Sequence, residues 1–261
     1  MKIERRKFLK LSSIAVGAVG IGGIIFYAKH RDRDPLDTFY ESTQKVLAAH
    51  FGQGRATTLI KAIRHEYQTL APGVPYIGGK ENIFTEWLTY AAYFLAVYHV
   101  LKPLRHSIDQ VGRIIYETYE MMADYLEWLL HLIGSFKYSD RYISQLREAA
   151  AQSQKRKYPG DWVCSFVQGD GKEFDYGLDI TECGIHKLYR SHGAEGLTPY
   201  LCLSDYVVSK AFGRGLVRYQ TLAEGTQVCD FRYKKGREIF VYPLRHGWPP
   251  KFRHESARSF L

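Results

Sequence analysis

All four cysteines of this 261-residue chain, Cys164, Cys183, Cys202 and Cys229, fall in its second half. Their separations of 19, 19 and 27 residues form no C-x-x-C pair, so neither a zinc ribbon nor a thioredoxin-like dithiol is encoded locally. Two disulfides are a standing alternative in an exported protein, although a chain of this size has little need of stapling. The four thiols sit in different local settings. Cys164 alternates with Trp162 and Phe166 along one strand face and reads as an inert core residue.

Cys183 stands where a strand ending "DIT" gives way to a helix "CGIHKLYR". A helix N-terminus carries partial positive charge and spare N–H groups, which lower a thiol's pKa and favour a nucleophilic thiolate. His186, three residues on, shares that helical face and is a candidate base. Cys202 and Asp205 are spaced i, i+3 on the next helix, where the acid could orient a substrate or hold a cation. In "TQVCDFRY" (226–233), alternation sends Cys229 with Phe231 and Tyr233 to one face, and Asp230 with Val228 and Arg232 to the other. Asp230 and Arg232 are therefore a candidate charge pair, and Cys229 belongs to the packed face or to a pocket lined by aromatics.

The elements that position these residues are legible from periodicity. Two helices are expected at about Asp37–Phe51 and Arg55–Leu70, separated by "GQG". "APGVPYIGGKEN" (71–82) has two prolines and three glycines and must be a loop. The nearly continuous apolar run Trp87–Leu101 is short for a membrane span and reads as a helix buried on most sides. Ile108, Val111, Ile115, Tyr119, Met122, Leu126, Leu129 and Ile133 recur at steps of three and four and predict a long amphipathic helix, with Met121 and Met122 as core packing. Another helix begins near Ser139. Beyond Tyr158-Pro159-Gly160 the pattern turns to strands at 162–168, 173–181, 216–223 and 228–233, with helices at about Cys183–Ser191 and Leu197–Phe212 between them. "GDG" and "EGTQ" read as the turns of two hairpins. The expected fold class is α+β, a helical part (35–157) against a mostly antiparallel sheet with two helices (158–236), then an irregular tail (237–261).

Residues 1–34 read as an address. They hold eight Lys/Arg against three Asp/Glu, which accounts for +5 of the net charge of +9. The remainder is mildly basic without any nucleic-acid-binding pattern, so nucleic acid is set aside as a partner. "RRKFLK" (5–10) resembles a twin-arginine export signal, with Glu4 where Ser or Thr is usual. The apolar stretch Leu11–Tyr27 is weakened by Ser12, Ser13, Gly17, Gly20, Gly22 and Gly23, which favours an export signal over a permanent span. No A-x-A site follows, so an uncleaved signal anchor in the membrane is also open. Basic residues before the span favour a body facing the periplasm or outside, exported by the twin-arginine machinery or membrane-anchored.

"FDYGLDITECGIHKLYRSHG", "PYLCLSDY" and "GTQVCDFRY" together resemble the L-2-amino-thiazoline-4-carboxylic acid hydrolase family. The resemblance rests on an ordered set: T-E-C at a strand end, C-x-x-D on a helix, and C-D-F-[RH] on a late strand. "VPYIGGKENIFTEWL" is similar to the family's Gly-Gly-x-x-Asn loop, which carries Asn82. The resemblance spans about residues 36–236. It implies a hydrolase that opens a cyclic isothiourea to a carbamoyl-cysteine type product. It also implies functional roles for Cys183, Cys202, Cys229, Asp205 and Asp230, and makes Asn82 a candidate substrate contact. Arg232, or another cation, would bind the carboxylate of the small-molecule substrate. Two chemistries stay open: a cysteine nucleophile, or the three cysteines as ligands of a soft metal such as zinc that activates water. A non-catalytic envelope protein that binds a small ligand or partner is the competing class. Convergence of Cys183, Cys202 and Cys229 separates the two classes.

Overall fold

The computed structural model describes residues 35–239, leaving aside the side chains of 35, 125–129 and 132. From Thr38 onward the described residues form one compact unit. The export or anchor segment and most of the tail lie outside the described residues. Among those described, no helix is long and apolar enough to cross a membrane.

Five helices come first: α1 (Pro35–Phe51), α2 (Gln53–Leu70), α3 (Thr85–Leu101), α4 (Ile108–Gly134) and α5 (Asp140–Ser153). Strands β1 (Val163–Gln168) and β2 (Tyr176–Glu182) follow, then helices α6 (Gly184–Ser191) and α7 (Thr198–Ala211), then β3 (Arg214–Val217) and β4 (Cys229–Lys235). The four strands make one antiparallel sheet in the order β1-β2-β4-β3. The α+β class and the mostly antiparallel sheet are thus as expected.

Helix α3 is the axis of the helical part. Ten of its seventeen residues are buried, which explains a sequence with no polar face. Its Tyr93 hydroxyl donates to Thr43 Oγ1 at 2.7 Å, and Thr43 in turn meets Thr118 of α4 at 3.4 Å, so the polar atoms inside this apolar core are partnered. Helix α4 starts at a full capping box, with Ser107 accepting from the Gln110 N–H and Gln110 Oε1 accepting from the Ser107 N–H. Its stripe is buried at Val111, Ile115 and Tyr119. Two expectations fail: Met121 and Ile133 are exposed.

Helices α4 and α7 approach closely at Gly112, where a Cβ would fall 2.3 Å from the Tyr200 ring. A glycine there sets how deeply α7 seats. Helix α7 also packs on β3, and the Tyr189 hydroxyl of α6 donates to the Ala91 carbonyl of α3 at 3.0 Å. Both helices of the second half are thereby fastened between the sheet and the helical part.

Strand β3 is shorter than its sequence pattern. The expected run 216–223 ends at Val217, because the N–H groups of Tyr219 and Gln220 leave the ladder and donate to Asp230 Oδ1 at 3.0 and 2.7 Å. The connection to β4 is therefore a long loop with a short 3₁₀ turn, Leu222–Glu224, rather than a tight hairpin at "EGTQ".

Candidate active site

Alternation along β4 fixes what each face of the sheet carries. Cys229, Phe231 and Tyr233 are buried at 5–6% exposure, while Asp230 and Arg232 between them are half-buried on the other side. Cys229 pairs in register with Ile180, three residues before Cys183. Cys183 is the N-cap residue of α6, and Gly184 after it lets the helix start against Trp162, whose ring atoms lie 2.6 Å from where a Cβ would stand. One turn of α7 brings Cys202 and Asp205 to the same place. Cys202 feels both Cys183 and Cys229, and Cys183 feels Cys229, so each thiol acts on the other two. The three cysteines meet in one neighbourhood, and none forms a disulfide.

At the centre of this neighbourhood lies an ion pair. Arg218, just past the end of β3 and 3% exposed, donates from Nη1 to Asp205 Oδ2 at 2.6 Å and from Nη2 to the Cys202 carbonyl at 2.8 Å. Its guanidinium lies 4.7 Å from the Phe231 ring centroid and 5.1 Å from that of Tyr206. Desolvation is the largest influence on the Asp205 carboxyl and raises its pKa against the pull of Arg218. Yet the Asp205 side chain keeps about a third of its surface open, at 34%. The carboxylate is thus surrounded by protein and still reached by solvent. Cys183 and Cys202 are likewise only partly covered, while Cys229 is buried.

The electrostatics correct the expected state of Cys183. Desolvation pushes its thiol up to about 12, and the opposing N–H groups of His186 and Ile185 at the start of α6 do not overcome it. No cap hydrogen bond reaches normal geometry there. Desolvation also raises the thiols of Cys202 and Cys229, the latter accepting at 3.2 Å from the Leu222 N–H. At neutral pH three neutral thiols therefore stand near one ion pair. What His186 offers Cys183 is its backbone N–H. Its ring Nδ1 is buried and has no hydrogen-bond partner.

Other candidates lie elsewhere. Arg232 and Asp230 do not pair with each other. Arg232 Nη1 donates to Asp179 at 2.7 Å on the outer face of the sheet, and Asp230 holds the β3–β4 loop. Asn82 is committed to structure: its Nδ2 donates to the Ile77 carbonyl and to Asp161, both at 2.7 Å, and its Oδ1 accepts from the Phe84 N–H. It ties the 71–84 loop to the chain entering β1. Cys164 is 1% exposed beside Ser153, a core residue as read. Among the described residues, no group of three or more His, Cys, Asp or Glu side chains is placed to hold a metal ion. The three thiols are thus neighbours without forming a donor set for the soft metal, and no step below uses one.

Sequence reasoning missed Arg218, the residue that joins Asp205 to the cysteine helix. The available signal was period 2 on β3: Arg214, Leu216 and Arg218 fall on one face, and the apolar Leu216 marks that face as the inner one.

Residues 110–233, just under half of the chain, match the family model described as L-2-amino-thiazoline-4-carboxylic acid hydrolase. The match supports the resemblance carried by the three cysteine motifs, all of which lie inside it; the Asn82 loop lies before it. No curated protein and no solved structure matches the chain.

Proposed function

We propose, from residues 110–233 that carry this family's pattern, that the protein is a hydrolase that opens the ring of a small cyclic amidine at a C–N bond. The observation that supports this reading is the grouping of Cys183, Cys202 and Cys229 near the Asp205–Arg218 pair, which bonds the Cys202 carbonyl and is open to solvent at Asp205.

Neutral thiols suit such a substrate. An amidine is a base, so its ring nitrogen takes the proton of a thiol as the sulfur adds to the carbon between nitrogen and sulfur. The tetrahedral carbon that results carries two nitrogens, whose N–H groups Asp205 holds with its charge fixed in place by Arg218, and the outer nitrogen passes a proton to the ring nitrogen as that one leaves. Cleavage of the ring C–N bond leaves the carbon on the enzyme sulfur. Water then adds to that carbon, the enzyme sulfur departs and regains its proton, and the carbamoyl product is free. Cys183 is our nucleophile, since the α6 N–H groups that face its sulfur stabilise the charge it gains. Export through the twin-arginine-like "RRKFLK" segment, by cleavage or as a membrane anchor, belongs to the same proposal and rests on sequence alone.

The test is turnover of 2-amino-thiazoline-4-carboxylate, followed by mass spectrometry for a product heavier by one water. Cys183→Ala should lower kcat by about 100-fold or more, and Asp205→Asn should act mainly on substrate affinity. Full activity in Cys183→Ala, Cys202→Ala and Cys229→Ala alike would remove every thiol role and leave a ligand-binding protein as the better reading.

A further inference from the structure

Arg214 opens β3 and is 8% exposed, four residues before Arg218 on the same strand face. Unlike Arg218, it has no carboxylate in an ion pair among the described residues. Tyrosines surround it instead. Its guanidinium lies 3.9 Å from the Tyr233 ring centroid, and the Tyr176 ring lies tilted against Tyr233 at 5.1 Å and edge-on to Tyr138 at 5.5 Å. Three buried polar atoms in this cluster, Arg214 Nε, Tyr138 Oη and Tyr176 Oη, meet no partner in good hydrogen-bond geometry; the Gly215 N–H beside Tyr138 Oη and the Arg214 guanidinium beside Tyr176 Oη are donors, which leaves both phenol O–H groups without an acceptor. A buried guanidinium without a counter-charge is costly, and buried phenols normally find partners. Here one cation and two O–H donors are left unmet together.

That combination of donors fits a small anion. We propose that Arg214, with the hydroxyls of Tyr138 and Tyr176, receives the carboxylate of the ring substrate and so sets the preference for an acid over its uncharged analogue. The assignment rests on the hydrolase reading for the identity of the ligand, and on the unmet donors for its location. The two ends of the inner face are close: Arg218 lies over Phe231 and Arg214 over Tyr233, and those two rings stack at 6.2 Å, with Asp205 bound to Arg218. A substrate with a cationic amidine and an anionic carboxylate would place the first on Asp205 and the second on Arg214. Arg218, occupied by Asp205 and the Cys202 carbonyl, is not free for that role. Arg232 lies on the other side of the sheet.

Binding of thiazolidine-4-carboxylate and of thiazolidine, measured by calorimetry, tests this without turnover, because neither ring contains the amidine carbon. The wild-type protein should bind the acid about ten- to a hundredfold more tightly. Arg214→Gln should erase that preference, while Arg232→Gln keeps it. Equal binding of the two rings by the wild type, or a preference that survives in a folded Arg214→Gln protein, overturns the assignment. If Arg214→Gln does not fold, Tyr138→Phe and Tyr176→Phe decide: each should weaken the acid only, and an unchanged preference in both overturns it. A protein that turns over cyclic amidines but ignores the carboxylate would refute this site alone. One that prefers the acid but turns nothing over would refute the hydrolase alone.

Discussion

On the outer face of the sheet, charge is matched close to solvent: Arg232 with Asp179 at 2.7 Å, Lys234 with Asp175 at 2.8 Å, and Asp230 with two loop N–H groups. On the inner face of the same strands, charge is buried and incompletely met. Arg218 is paired but keeps a buried Nε without a partner, Arg214 has tyrosines in place of a carboxylate, and three thiols are held neutral by desolvation. The two outer ion pairs tie β4 to β2 and the residue before it, across the middle of the sheet. The inner groups are an expense for the fold, which marks that face as the working one.

Breaking this contrast should have unequal costs on the two faces. Arg218→Met leaves Asp205 enclosed without its cation, and urea unfolding should show a loss of about 3–5 kcal/mol. If the loss is under about 1 kcal/mol, the inner pair is as solvated as the outer ones and the contrast fails.

Alkaline pH comes next. The folded-state pKa values of Cys183, Cys202 and Cys229 are raised from the ordinary 9.0, that of Cys183 to about 12. Their contribution to stability is therefore complete below pH 9 and is lost between pH 9 and about 12, as the unfolded chain ionises its thiols and the fold resists doing so. Cys183→Ala should flatten this decline in urea titrations run across that range; an unchanged slope would show that the thiol is already well solvated. Alkylation by iodoacetamide at pH 7.5 should correspondingly be slow for all four cysteines until the protein is unfolded. The smallest effect belongs to the outer face: Arg232→Gln should cost about 1 kcal/mol or less, with turnover unchanged.

The elements were largely legible because their signals are local. The stripe of α4 and the alternation in β4 both appear in the structure with shifts of a residue or two at their ends. The same alternation correctly separated Cys229 from Asp230. What escaped was decided by groups distant in the chain. The sequence at Cys183 shows a helix start, which argues for an acidic thiol, but the enclosure that reverses the argument comes from packing contributed by distant segments. Arg232 looked available for a substrate because Asp179, its partner, lies 53 residues away. Asn82 looked like a ligand contact for the same reason: Asp161, which holds it, is 79 residues away. Arg218 was hidden by its place in a run that reads as an uninterrupted strand and instead ends at Val217.

Asp230 has a consequence of its own. It lies in the strand that presents Cys229, and it grips the two residues that follow Arg218. The guanidinium itself is held by α7, and Asp230 holds the backbone that follows it. Tied to Asp230, that backbone takes its position from the hydrogen-bond register of β2 and β4. The strand register thus places both Cys229 and the backbone after Arg218, and a one-step slip of β4 would move them together.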